Sequence, residues 1–105
     1  MMAAIPQADV VVTNPTHFAV ALTYDGSHPA PIVVAKGQDL IALEIRKVAE
    51  GAGVPVVEDK PLARSLFDAV PLEAEIPADF YRAIAELLAY VYRTARRRAP
   101  IASAA

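Results

Sequence analysis

Four short runs of apolar, mostly β-branched residues mark the first half of the chain, at Val10 to Thr13, Phe18 to Tyr24, Ile32 to Lys36 and Val54 to Glu58. Turn-forming residues bound each run, and none alternates between apolar and polar positions. Unbroken apolar runs of this length predict strands covered on both faces. Between the third and fourth runs, Gln38 to Ala52 repeats Ile41, Ile45, Val48, Ala49 and Ala52 at helical spacing, with Asp39 near its start and Gly51 and Gly53 near its end. Strand, helix and strand in that order predict a right-handed parallel crossover. The link from Asn14 to His17 is too short for a crossover and predicts an antiparallel hairpin.

The second half reads as helices. Asp59 and Pro61 open one over Leu62 to Val70, with Leu62, Leu66, Phe67 and Val70 on one side, and Pro71 stops it. From Ala78 a last helix aligns Phe80, Ile84, Leu87, Leu88, Val91 and Ala95 as a core stripe and leaves Arg82, Glu86 and Arg93 outside it. Arg96, Arg97 and Arg98, followed by Pro100 to Ala105, read as a helix end running into a tail, so 96–105 is expected to be basic and flexible. The pattern predicts one α/β domain over 9–95, a small mixed four-stranded sheet flanked by three to four helices.

Composition narrows the function more than the fold. A chain of 105 residues with 55% hydrophobic content has material for one core. The net charge of -2 gives no pull toward nucleic acid. The absence of cysteine excludes disulfides and thiol catalysis. The two histidines, His17 and His28, are far apart in the chain, so no metal site is expected, and no cofactor motif such as a glycine-rich phosphate loop is present. His28, beside Gly26, Ser27 and Pro29, reads as part of a solvated loop. No apolar run reaches the roughly 18 residues of a membrane helix.

Chemistry concentrates in Asn14-Pro15-Thr16-His17. An asparagine carboxamide nitrogen that attacks its own main-chain carbonyl closes a succinimide and expels the next residue's nitrogen, breaking the chain. In ordinary asparagine chemistry the following backbone N–H attacks the side chain first, and the residue deamidates. Pro15 has no N–H, so that competitor is closed, and its ring biases Asn14 toward extended conformations. The departing ring nitrogen needs a proton, which His17 and Thr16 are near enough in sequence to deliver or relay. The same letters also spell an everyday turn beside a solvated histidine.

The surrounding text weighs for cleavage. Ala8-Asp9-Val10-Val11-Val12-Thr13 before the tetrapeptide and Phe18-Ala19-Val20-Ala21-Leu22-Thr23-Tyr24 after it resemble the cytoplasmic domain of flagellar and type III secretion export-switch proteins, the FlhB/YscU family. The resemblance continues through Ala30-Pro31-Ile32-Val33-Val34-Ala35-Lys36-Gly37, Gly53-Val54-Pro55-Val56-Val57-Glu58, Pro61-Leu62-Ala63-Arg64-Ser65-Leu66-Phe67, Glu75-Ile76-Pro77 and the helix from Phe80 to Tyr92. It runs from about Ile5 to Arg93, with separated blocks in one order. Phe18 stands where many relatives carry tyrosine.

That resemblance implies an autocleaving substrate-specificity switch. Asn14 matches the cyclising residue and Pro15 the new amino terminus, with Thr16 as an orienting hydroxyl and His17 as proton carrier. It implies a single intramolecular turnover rather than an enzyme, no cofactor, and a place at the cytoplasmic face of the bacterial inner membrane. Implied partners are other export components, secretion substrates or chaperones, and an upstream membrane portion, of whose linker 1–8 would be the end. The Pro61-Leu62-Ala63-Arg64 segment is implied to lie near the cleavage loop, and Lys60, Pro61, Leu62 and Arg64 are the candidate partner surface. Lys60 and Arg64 stand one helical turn apart, spaced to face an acidic partner together. Asp9 and Glu58, at strand boundaries, are candidates to position His17. Two other readings stay open: a non-cleaving interaction module of similar fold, and a small hydrolase pairing His17 with Asp9 or Asp25, for which no nucleophile is placed.

Overall fold

Strands β1 (Val10–Asn14) and β2 (Phe18–Thr23) form the centre of a four-stranded sheet, flanked on one edge by β3 (Ile32–Gln38) and on the other by β4 (Val56–Glu58). The computed structural model describes residues 1–98, with the last four of these described by their backbone alone. β1 pairs antiparallel with β2 and β2 with β3, whereas β1 and β4 run parallel. The expected hairpin at Asn14 is therefore present. β3 and β4 share a direction, as a crossover through α1 (Leu40–Gly51) requires, but they lie on opposite edges. The hairpin partner β2 and then β1 stand between them, so the parallel neighbour of β4 is β1.

Both faces of the central strands are covered, which is why their sequences do not alternate. Val10, Val12, Phe18, Val20, Leu22 and Val33 pack toward α2 (Lys60–Ala69) and α3 (Tyr81–Arg98). Val11, Ala19, Ala21 and Ala35 pack beneath α1 together with Ile5. Small side chains on that second face let the helix come close. Gly37 marks the limit: a Cβ there would stand 2.8 Å from Cβ of Ile41. A bulge explains how Val33 and Ala35, two positions apart, serve opposite faces. Val33 pairs with Leu22 and Ala35 with Ala21, leaving Val34 as the extra residue.

Several boundaries differ from the sequence expectation. α1 starts at Leu40 because Gln38 stays in the sheet opposite Phe18, and it buries Ala42, Ile45 and Ala49. Ile41 and Ala52, expected on the buried stripe, are exposed. The alanine-rich sheet face accepts the smaller phase of the helix, and Ile41 rides over Gly37 at its margin. β4 is only three residues long; Pro55 has no N–H and contributes its carbonyl to the Val11 N–H instead, at 2.9 Å. α2 begins at Lys60 rather than Leu62, since Asp59 caps it through a carboxylate accepting from the Leu62 N–H at 3.2 Å. A 3₁₀ turn over Ala78–Phe80 precedes α3.

The first eight residues, expected as a linker end, include a 3₁₀ helix over Met2–Gln7 that buries Ile5. α3 carries Arg96 to Arg98 in its backbone, while the rest of the expected flexible tail, 99–105, lies outside the described residues, as does the side chain of Ala95. Among the described residues no helix is long and apolar enough to cross a membrane.

Candidate functional site

The β1–β2 hairpin presents the tetrapeptide as a hydrogen-bonded turn: the His17 N–H donates to the Asn14 carbonyl oxygen at 2.9 Å. Thr16 has φ 72°. Proline at the second turn position fixes a negative φ, and with a positive φ at the third only a type II turn satisfies both. Type II turns splay hairpin strands against their natural twist. A β-branched residue at positive φ is a genuine outlier, at a cost of about 1–3 kcal/mol. The site is thus strained where the sequence has no glycine to relieve it. Asn14 and Pro15 are half-buried and Thr16 and His17 exposed. Neither the Asn14 carboxamide nor the Thr16 hydroxyl takes part in a hydrogen bond among the described residues.

The start of α2 stands beside this turn. The Asp59 N–H donates to the Thr13 carbonyl at 2.9 Å, one residue before Asn14. Phe18, one residue after His17, packs on Phe67 with ring centroids 4.9 Å apart. The Arg64 guanidinium lies 5.7 Å from the Phe18 ring and 3.7 Å from the Asp68 carboxylate. Lys60 and Pro61 are exposed and Leu62 half-buried, and Lys60 has no ion pair among the described residues. Arg64 thus has neighbours within the domain, while its side chain remains 68% exposed.

His17 finds a partner that sequence reasoning missed. Its carbonyl accepts the Asp39 N–H at 2.8 Å, and its Nδ1 lies 3.9 Å from the Asp39 carboxylate. The expected contacts from Asp9 and Glu58 are not made: Asp9 accepts the Tyr24 N–H at 2.6 Å at the far end of β1, and Glu58 pairs in register with Thr13 without an ion pair to His17. Asp39 read in sequence only as a helix start. Only the β2–β3 register, with Gln38 opposite Phe18, brings it to the turn.

Lys36, which no sequence pattern singles out, braces the helix beside the turn. Its Nζ donates to the carbonyls of Phe67 and Val70, each at 2.9 Å, and lies 5.1 Å from the Phe67 ring. It thereby holds the C-terminal end of α2, whose Phe67 in turn buttresses Phe18. Away from the turn, His28 lies in an exposed loop with Ser27, and the Ser27 hydroxyl and N–H hold the Asp25 carboxyl below its ordinary range. Asp25 is thus engaged locally. Among the described residues no group of three or more His, Cys, Asp or Glu is arranged to hold a metal ion.

Comparison with known proteins places this fold in a family. The model described as the FlhB HrpN YscU SpaS Family matches residues 1–91, and the chain belongs to that family of flagellar and type III secretion export-switch proteins. It is 50% identical over 98 residues to the flagellar biosynthetic protein FlhB of Bacillus subtilis (strain 168), covering 92% of this chain and 27% of that protein. Against FlhB of Aquifex aeolicus (strain VF5) it is 51% identical over 92 residues, 87% of this chain and 26% of the relative. The chain therefore spans about a quarter of the length of these relatives. Its structure superposes on the cytoplasmic domain of FlhB from Shewanella putrefaciens with a TM-score of 0.89 at 41% identity, covering 92% of this chain and 75% of that one. It also superposes on the C-terminal domain of a mutated EscU with a TM-score of 0.83 at 40% identity, covering 86% and 91%.

Proposed function

We propose that the chain is an autocleaving substrate-specificity switch of a protein-export apparatus, cutting its own backbone between Asn14 and Pro15. The observation that carries this reading is the strained turn, with the scissile carbonyl already accepting the His17 N–H at 2.9 Å. Asn14 Nδ2 attacks its own carbonyl carbon. The carbonyl oxygen gains negative charge in the tetrahedral intermediate, and a hydrogen bond to a charged acceptor is about twice as strong as to a neutral one. A donor preset at such an oxygen is worth about 3 kcal/mol in acyl-transfer sites.

Collapse of the intermediate breaks the bond to Pro15. One proton leaves the amide nitrogen and one arrives at the ring nitrogen, so the step is balanced without any co-reactant. His17 carries that proton. The products are a succinimide-ended segment, later opened by water, and a chain beginning at Pro15. Release of about 1–3 kcal/mol of turn strain quickens this by roughly one to two decades, so positioning and proton transfer supply the rest. The reaction is one turnover per molecule.

Cleavage frees the loop between β1 and β2 beside Lys60, Pro61, Leu62 and Arg64, and this remodelled surface changes which class of secretion substrate is accepted. Partners are export components and substrates or chaperones, met at the cytoplasmic face of the bacterial inner membrane through the membrane portion of a longer protein. Amino-terminal sequencing of the smaller products on a denaturing gel tests the bond assignment. A new terminus at Pro15 is expected, and a new terminus elsewhere would contradict it.

A further inference from the structure

Two aspartates occupy helix N-cap positions in this domain, and only one behaves as a cap. Asp59 has an extended backbone and its carboxylate accepts the Leu62 N–H. Asp39 sits before α1 with φ 55° and ψ -118°, a conformation that favours glycine, and its side chain makes no cap hydrogen bond. A capping role would normally stabilise a helix by about 1 kcal/mol, and Asp39 does not supply it. What Asp39 does instead is face His17, through a backbone bond at 2.8 Å and a carboxylate 3.9 Å from Nδ1. Two of the described non-glycine residues at positive φ, Thr16 and Asp39, therefore bracket one histidine. Backbone strain of this kind persists where the surroundings impose it and is concentrated at functional sites.

We infer that Asp39 is a positioning residue for His17 in the cleavage step, an inference that rests on the self-cleavage reading. The carboxylate stands 3.9 Å from Nδ1, just beyond hydrogen-bond reach, and a small rotation of these exposed side chains brings an Nδ1–H onto it, which selects the tautomer whose Nε2 lone pair is free. Nε2 takes the proton from the attacking amide, and the resulting imidazolium is stabilised by the carboxylate until the proton passes to the Pro15 nitrogen. The pair is solvent-exposed, at 64% and 67% for the two side chains, so its effect is modest.

Two variants separate this role from scaffolding. Asp39→Asn keeps the shape and removes the charge; Asp39→Gly removes the carboxylate and relieves the backbone. Both are expected to fold, with Asp39→Gly at least as heat-stable as the parent. Both should cleave more slowly, by about three- to tenfold. In an Asn14→Ala background, ¹⁵N NMR should show the neutral His17 ring mainly protonated on Nδ1, shifting toward Nε2 when Asp39 is also replaced. Unchanged rates in both variants, or slower cleavage with an unmoved tautomer, would overturn the inference. If the parent chain itself never cuts, the self-cleavage reading fails, and the tautomer measurement alone still decides whether Asp39 orients His17.

Discussion

The backbone N–H of His17 donates to the carbonyl oxygen of Asn14, the one carbonyl whose carbon the Asn14 side chain can reach to close a five-membered ring. One turn bond thus closes the hairpin and, in the proposed cleavage, reaches the oxygen that gains charge. Replacing the His17 amide by an ester through semisynthesis removes the donor and keeps the side chain. Cleavage should slow by about 10²–10³-fold. His17→Ala keeps the N–H and removes the imidazole, and should slow it by about 10²-fold for a different reason. Rates from a denaturing gel time course distinguish the two, and an ester variant as fast as the parent would refute the role of the N–H.

Pro15→Ala reopens the route that proline closes. The new N–H at position 15 can attack the Asn14 side chain, so cutting should give way to deamidation. Mass spectrometry should find an uncut chain with the amide-to-acid mass gain, localised to Asn14 by peptide mapping. Clean cutting at the parental rate with no deamidation would contradict the argument.

After the cut, the two segments should remain associated. β1 is hydrogen-bonded on both sides, to β2 and β4, and Ile5, Val10, Val11 and Val12 are fully buried. Each such side chain contributes about 1.5–3 kcal/mol by burial. Native mass spectrometry should show one complex where a denaturing gel shows two bands; free segments at micromolar concentration would show that the retained contacts are weaker than this.

Much of this fold is legible in the sequence because the central strands are covered on both faces. Val10 to Val12 and Phe18 to Leu22 read as unbroken apolar runs for that reason, and the hairpin follows from the short link between them. What sequence hides is register. Ile41 fits a helical stripe as well as Ala42 does, and only the close approach over Gly37 decides which phase faces the sheet. The same holds at the site. Asn14 and Pro15 are visible as chemistry, whereas Asp39 and Lys36 become relevant through strand pairing and through a helix end that no local pattern places.

Those hidden supports make separate predictions. Gly37→Ala puts a Cβ against Ile41 and should lower stability by about 1–3 kcal/mol, measured by urea unfolding. Lys36→Met removes two hydrogen bonds to the α2 carbonyls while keeping most of the side-chain length, and should lower it by about 1–3 kcal/mol. An unchanged midpoint in either variant would show that the neighbouring element shifts freely.

Intact mass of the purified, folded protein over time, beside Asn14→Ala, tests self-cleavage most directly. The account predicts two species meeting at Asn14 and Pro15, formed faster as pH rises because the attacking amide nitrogen must lose a proton, and a single mass for the variant. A parent chain that stays whole after prolonged incubation at mildly alkaline pH would contradict it.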